Sequence, residues 1–213
     1  YFSPRPAEFL FDTETDVWET KNLADNPSYQ KQLRLLRGKL DSSMRASRDV
    51  MLLSEYELAA LAAKGTNAYN YRLSKDFRFD EIYKAASLSG LRNKEVAKQQ
   101  AALLSHSNKI VRYWAALGLR SQDETVAALY KNELLKAIND AYPPTAVTAA
   151  ATAYQLFADS ASANVLKSAI RSDNEHQVLM AINYLLYTNK PEPFVTAVAE
   201  ARTSALDQEG YIK

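Results

Sequence analysis

The sequence predicts a mainly α-helical protein in which a short segment of mixed α and β structure precedes an α-solenoid. The 213 residues include only five glycines and seven prolines, and alanine is abundant, which favours helices. Beyond Asp80, alanine-rich stretches about a dozen residues long alternate with short polar breaks. Three of these stretches begin with valine and share small residues along one side. Their starts lie about 30 to 36 residues apart, the period of helix-pair repeats.

The N-terminal part predicts one strand and one amphipathic helix. The aromatic and aliphatic run Glu8–Asp12 has the composition of a short strand, and acidic residues then form a polar turn. Asn26-Pro27 is typical of a helix start, with a capping residue followed by proline. The apolar residues of this helix recur at helical spacing: Tyr29, Leu33, Leu36, Leu40 and Met44.

Three consecutive regions follow from these patterns. Residues 1–64 hold the strand, the turn and two helical stretches, and residues 65–80 form a linker with aromatic anchors. Residues 81–213 form the helical repeats. The helices predicted there are Glu81–Ser89, Asn93–Leu104, Asn108–Arg120, Glu124–Ala141, Thr145–Ala158, Ala161–Arg171, Glu175–Tyr187 and Pro193–Ser204.

The overall composition argues against several classes of function. Lysine plus arginine (26) nearly balances aspartate plus glutamate (25), so the net charge of +1 gives no reason to expect a nucleic-acid partner. The chain has no cysteine, and therefore no disulfide or cysteine nucleophile. No apolar run approaches the length of a membrane span. Because the chain begins at Tyr1 without methionine or a signal peptide, we expect it to be a piece of a longer polypeptide.

The stretch Arg5–Ala24 resembles the closing segment of sulfatases. In that family a strand of the form R-P-x-x-E-L-Y-D-L is followed by an acidic turn and then by E-x-x-N-L-A, which Glu19, Asn22, Leu23 and Ala24 match here. The family usually has proline where this chain has Val17, tyrosine where it has Phe11 and leucine where it has Thr13.

The C-terminal part resembles HEAT-type repeats, and the order of the two parts resembles sulfatases similar to heparan N-sulfatase (N-sulfoglucosamine sulfohydrolase). In that group a helical tail follows the catalytic domain. The bridge between them resembles 68–72 and 79–86 of this chain, and the repeat element resembles 111–119.

This resemblance implies that the chain is the C-terminal fragment of a secreted or periplasmic hydrolase. The parent would cleave sulfate esters or sulfamates of sulfated sugars, as in glycosaminoglycan degradation. It would use calcium and a formylglycine made in a C/S-x-P-x-R motif. None of that catalytic set is visible in this chain, so we expect no catalytic residue, metal ligand or cofactor within it. The implied partners are its own upstream catalytic domain, a sulfated saccharide bound by the parent, and a second copy of the chain.

Two residues are candidates for a place beside the substrate. In the family, the strand that carries Arg5 and Glu8 belongs to a subdomain that closes one side of the substrate pocket. An arginine there can pair with a carboxylate or sulfate. Alternatively, Arg5 and Glu8 hold the strand to the catalytic domain by ion pairs.

Other polar residues are interpreted as structural. We interpret Asp12, Glu14 and Asp16 as a solvated turn, since the glycine and distal glutamate of calcium loops are missing. His106 and His176 lie in polar breaks far from other ligand types, and we assign them to helix ends or to the surface.

Two functions without sulfatase chemistry stay open. A stand-alone HEAT-type scaffold that binds a protein partner would explain the repeats but not the N-terminal motifs. A phycobilin lyase-like repeat protein is suggested only by the short alanine-rich helices.

Overall fold

The computed structural model describes residues 6–206, and this part of the chain is mainly α-helical. It divides into two compact units, the first ending at Asp49 and the second beginning at Val50. The predicted relation of residues 1–64 to a sulfatase subdomain, with a linker over 65–80, stays a prediction.

The first unit contains one long helix. Asn26 accepts a hydrogen bond from the Ser28 amide, and Pro27 opens a 3-10 turn, Pro27–Tyr29, that leads into α1, Gln30–Ser47. The helix ends where Arg48 adopts left-handed backbone geometry (φ 50°) and its N–H donates to the carbonyl oxygen of Met44. The sequence therefore predicted the start of this helix correctly.

The predicted strand at Glu8–Asp12 is wrong for the described residues, which include no β-strand. A strand needs a neighbouring strand to pair its backbone N–H and C=O groups. The first unit offers no such neighbour within residues 6–49, and this segment is held by a side chain instead.

The second unit begins with a 3-10 turn, Val50–Leu52, and contains eleven described α-helices. They are α2 (Glu55–Ala63), α3 (Ala68–Tyr71), α4 (Phe79–Leu88), α5 (Lys94–Leu103), α6 (Lys109–Arg120), α7 (Glu124–Ala127), α8 (Lys131–Ala137), α9 (Pro143–Phe157), α10 (Ser160–Ile170), α11 (Glu175–Leu185) and α12 (Val195–Leu206).

Most helices predicted beyond residue 80 are present within a few residues of the predicted bounds. Glu124–Ala141 is an exception, because the chain forms α7, a 3-10 turn over Ala128–Tyr130 and then α8. At Tyr130 the backbone leaves helical geometry (φ −106°, ψ 34°). Another 3-10 turn, Glu192–Phe194, replaces the predicted start of the last helix.

The predicted linker is partly helical, since it contains α3 and leads directly into α4. Its expected aromatic anchors are present in part. Phe77 and Phe79 are buried, and their ring centroids lie 5.9 Å apart. Tyr69 is instead exposed, with the Arg72 guanidinium 4.3 Å from its ring centre.

Successive helices of the second unit pack in order. Helix α6 packs against α4 and α9, and α9 packs against α11, so these four helices follow one another. Helices α5, α8 and α10 pack against members of this row. The valines that begin the three similar stretches, Val111, Val147 and Val178, are all buried, on α6, α9 and α11.

A glycine permits the close approach of α5 and α6. A Cβ atom added at Gly118 would lie 2.5 Å from Nε2 of Gln100. The Gln100 side chain is buried, donates to the Leu88 carbonyl oxygen at 2.8 Å and accepts from Gln122 at 2.9 Å. It therefore cannot move aside without breaking buried hydrogen bonds.

We predict that Gly118→Ala lowers the free energy of unfolding by about 1–3 kcal/mol through overpacking. The matched control is Gly38→Ala in α1, where the added Cβ meets nothing within 4 Å. That control should be neutral or stabilising by up to ~1 kcal/mol, because alanine favours helix more than glycine does. Denaturant unfolding followed by circular dichroism measures both. A Gly118→Ala protein as stable as the parent would show that Gln100 can move at little cost.

Candidate functional site

Asn22, in the stretch that resembles sulfatases, organises the start of the first unit. Its side-chain carbonyl accepts from the Leu10 amide at 2.9 Å and from the Ala24 amide at 3.0 Å. Its Nδ2 donates to the Glu8 carbonyl oxygen at 3.0 Å. The Leu23 amide completes the link by donating to the Leu10 carbonyl oxygen at 2.7 Å. One side chain thus supplies the hydrogen bonds that a neighbouring strand would give.

The other residues of the E-x-x-N-L-A motif, Glu19, Leu23 and Ala24, also have structural roles. Leu23 and Ala24 are both buried, and Gln30 at the start of α1 donates to the Ala24 carbonyl oxygen at 2.7 Å. Glu19 has a left-handed backbone (φ 51°), which turns the chain back towards Asn22. Residues 19–24 therefore form a turn that is hydrogen-bonded to residues 8–10.

The acidic turn is present, and the carboxylates of Asp12 and Asp16 accept hydrogen bonds from backbone amides. Asp12 accepts from the Glu14 amide at 3.2 Å. One oxygen of Asp16 accepts from the Thr20 amide at 3.1 Å, and the other accepts from the Lys21 amide at 2.8 Å. These backbone N–H groups, that of Lys21 foremost, lower the pKa of Asp16. Both Asp16 oxygens therefore help to fold the turn, and its interpretation as a solvated turn stays a prediction.

Of the two predicted substrate-adjacent residues, Arg5 lies outside the described residues. Glu8 is paired within its own unit with Arg37 of α1. Arg37 Nε donates to Glu8 Oε1 at 2.6 Å, and Nη2 donates to Oε2. The hydrogen bonds from Arg37 lower the pKa of Glu8. Both side chains remain partly exposed, so the pair contributes little to stability.

Helix α1 presents apolar side chains that residues 6–49 leave partly exposed. Leu33 is buried, but Leu36 is 48% exposed and Leu40 is 60% exposed, although all three lie on the face predicted to be apolar. Leu35 is 59% exposed. A surface helix normally buries this face, so the partly exposed leucines of α1 are a departure from the usual pattern.

The second unit contains a polar cavity of about 550 Å³ beside His106. Its arginine is fully engaged. Arg112 binds Asp140 through two hydrogen bonds of 2.6 and 2.8 Å, and Nη1 donates to the His106 carbonyl oxygen at 2.9 Å. Arg112 therefore fastens α6 to the turn before α9 and is not available to a ligand. Sequence reasoning missed this pair because it joins residues 28 positions apart.

The two histidines occupy the helix-end positions that the sequence predicted. His106 Nδ1 accepts from the Asn108 amide at 3.1 Å, just before α6. His176 lies in the first turn of α11, with Nε2 3.8 Å from Glu175. Across residues 6–206 no cluster of three or more histidine, aspartate or glutamate side chains is arranged to hold a metal ion. No helix in this range has the length and apolarity needed to cross a bilayer.

Comparison with known proteins gives one partial similarity. A 63-residue region, 30% of this chain, is 44% identical to an ulvan-active sulfatase from Formosa agariphila. The match spans only 11% of the length of that protein. No family model matches the sequence, and no solved structure matches it significantly. The chain therefore contains a region similar to part of a sulfatase.

We predict that Arg37→Gln raises the pKa of Glu8 towards its ordinary value, because the hydrogen bonds that favour the carboxylate are lost. A ¹³C NMR titration of the Glu8 carboxyl measures the change. In the parent, the ion pair is complete above the ordinary glutamate pKa of about 4.3 and is lost as the pH falls through the lowered pKa. Arg34→Gln, also on α1, is the control and should leave Glu8 unchanged. An unaltered titration in Arg37→Gln would contradict the pairing.

We also predict that Asn22→Ala speeds hydrogen exchange at the Leu10 amide about 10- to 100-fold, because the three hydrogen bonds of its amide disappear. Asn26→Ala removes a similar cap, at Ser28, and should leave Leu10 unaffected. Equal exchange at Leu10 in both variants would show that Asn22 does not hold the segment.

Proposed function

We propose that this chain is the C-terminal region of a sulfatase that hydrolyses sulfate esters or sulfamates of sulfated sugars, and that the chain itself is not catalytic. The observation that carries the proposal is the 44% identity over 63 residues to a sulfatase. The candidate substrates are the glucosamine N-sulfate groups suggested by the heparan N-sulfatase resemblance and the ulvan named for the Formosa enzyme. Calcium and formylglycine would then belong to an upstream catalytic domain, and the location would be secreted or periplasmic.

The first unit supports a catalytic domain as its partner. Among residues 6–49, the segment around Leu10 has one backbone hydrogen-bond partner, Leu23, and α1 leaves Leu36 and Leu40 exposed. Burying one such leucine contributes about 1.5–3 kcal/mol. In this proposal the apolar face of α1 packs on the upstream domain, and Glu8 serves that docking through its ion pair with Arg37. A place for Arg5 beside the substrate remains part of the proposal.

We further propose that the second unit is a HEAT-like solenoid. The ordered packing of α4, α6, α9 and α11 supports this hypothesis. The buried valines at similar positions of α6, α9 and α11 support it as well. Such a tail would stabilise the enzyme, shape the entrance of its pocket or mediate association with a second copy.

The direct test is the sequence of the gene upstream of the Tyr1 codon, followed by assays of sulfate release. We expect a C/S-x-P-x-R motif several hundred residues upstream. We also expect activity of the whole enzyme on sulfated sugars and none from the 213-residue chain. A start codon immediately before Tyr1 would instead favour the stand-alone HEAT-type scaffold.

We predict that Leu36→Ser combined with Leu40→Ser lowers the free energy of unfolding of the whole enzyme by about 3–6 kcal/mol, since two buried leucines would be lost. In the 213-residue chain the same pair should have a far smaller effect, because Leu36 is already 48% exposed and Leu40 60% exposed. Unfolding curves of the two proteins provide the comparison.

The control is Leu129→Ser, an equally exposed leucine of the second unit (65% exposed), which should be tolerated in both proteins. If the double variant is no more harmful to the whole enzyme than to the chain alone, α1 does not dock on the catalytic domain.

A further inference from the structure

A small cavity of about 240 Å³ lies in the second unit between the start of α2, the middle of α6 and one face of α11. Its volume corresponds to about eight water molecules at ~30 Å³ each, which suits one compact ring. The side chains that line it and matter for recognition are Ser54, Tyr56, Tyr113, His176, Asn183 and Tyr184.

Three tyrosines give the cavity aromatic walls with polar tips. Burial raises the pKa of Tyr113 and that of Tyr184, so both hydroxyl groups stay protonated at neutral pH. The Tyr184 hydroxyl lies 2.9 Å from Thr148 Oγ1, and the Arg120 guanidinium lies 4.5 Å from the ring centre. Tyr56 packs edge-on against Tyr142, with centroids 5.8 Å apart. Two of the walls are thus held in place.

Other lining groups are available to a ligand. Asn183 is exposed on α11, and within residues 6–206 neither its amide nor the Tyr113 hydroxyl has a protein hydrogen-bond partner. Leu179 and Met180 add apolar surface. Aromatic and aliphatic walls with a few convergent hydrogen-bonding groups are the usual composition of small-molecule sites.

The charge of the lining narrows the ligand class. The described lining includes Glu55 but no lysine or arginine. A sulfate or carboxylate group inside the cavity would therefore lack a permanent cation and would face Glu55. A neutral ring with several hydroxyl groups and apolar C–H faces fits better, because hydroxyls can bond to the amide and phenol while the C–H faces pack on the aromatic rings.

We propose that this cavity binds one neutral, unsulfated pyranose unit. The binding itself is independent of the proposed function. Only the further step, that the unit belongs to a sulfated polysaccharide held by the enzyme, rests on it. In that arrangement the second unit retains the polymer through an unsulfated residue, while sulfate groups are recognised elsewhere.

The test titrates the 213-residue chain with glucose, galactose, xylose and rhamnose separately, and with glucosamine N-sulfate, while NMR spectra are recorded. We expect at least one neutral sugar to shift the Asn183 side-chain amide and the Tyr113 ring, with a dissociation constant on the order of millimolar for so small a ligand. The sulfated sugar should bind more weakly.

Two variants locate the site. Asn183→Ala and Tyr113→Phe each remove one hydrogen-bonding group, and each should weaken binding about 5- to 10-fold. Asn183 is exposed and Tyr113→Phe keeps the ring, so both proteins should fold. The matched control, Asn132→Ala, changes an exposed asparagine of α8 that lines the other, larger cavity, and should bind sugar like the parent.

Three results would overturn the proposal: no neutral sugar shifts these resonances, the two variants bind as well as the control, or the sulfated sugar binds more tightly than every neutral one. These binding tests do not need the catalytic domain, so they can fail or succeed independently of the proposed sulfatase function. If the chain binds a neutral sugar but no sulfatase motif lies upstream, the sugar site is supported and the sulfatase function is rejected.

Discussion

The second unit depends on the burial of helix α9 among the helices that surround it. From Thr145 to Tyr154 every residue of this helix is buried, and α6, α8, α10 and α11 all pack against it. Only small side chains allow so many helices to approach one helix, and this stretch is mostly alanine and threonine. Its polar atoms are largely satisfied locally, since Thr148 Oγ1 donates to the Pro144 carbonyl oxygen and Thr152 Oγ1 to that of Thr148. The alanine-rich pattern of the sequence is thus a packing requirement.

That requirement also explains how much of the fold the sequence could predict. Several helix starts could be predicted from the sequence, because asparagine is a common capping residue there. Asn93, Asn108 and Asn174 each accept a hydrogen bond from an amide of the turn that follows. These signals are local, and so is the valine-and-alanine repeat. The break between α7 and α8 has no comparable signal. Nothing in Glu124–Ala141 marks Tyr130 as the place where the backbone leaves helical geometry.

The first unit shows where local reasoning reaches its limit. The strand predicted at Glu8–Asp12 had suitable side chains, but whether they form a strand depends on a partner elsewhere in the protein. Asn22 supplies the missing hydrogen bonds from 12 residues away, and the pairing of Glu8 with Arg37 spans 29 residues. The sequence offered Asn22 as part of a family motif and gave no local signal for the pairing of Arg37. A motif by itself does not indicate which atoms meet.

The two units therefore differ in how they compensate for the loss of conformational entropy on folding. The second buries a continuous apolar core that runs from Ala97 to Ala197. The first fully buries only Leu23, Ala24 and Leu33 among its described apolar residues, and it relies on polar links that are individually weak. A segment with so little core and with exposed leucines on its one long helix gains stability by packing on another surface. In the proposed sulfatase an upstream catalytic domain would provide that surface, and a stand-alone repeat scaffold would need a different one.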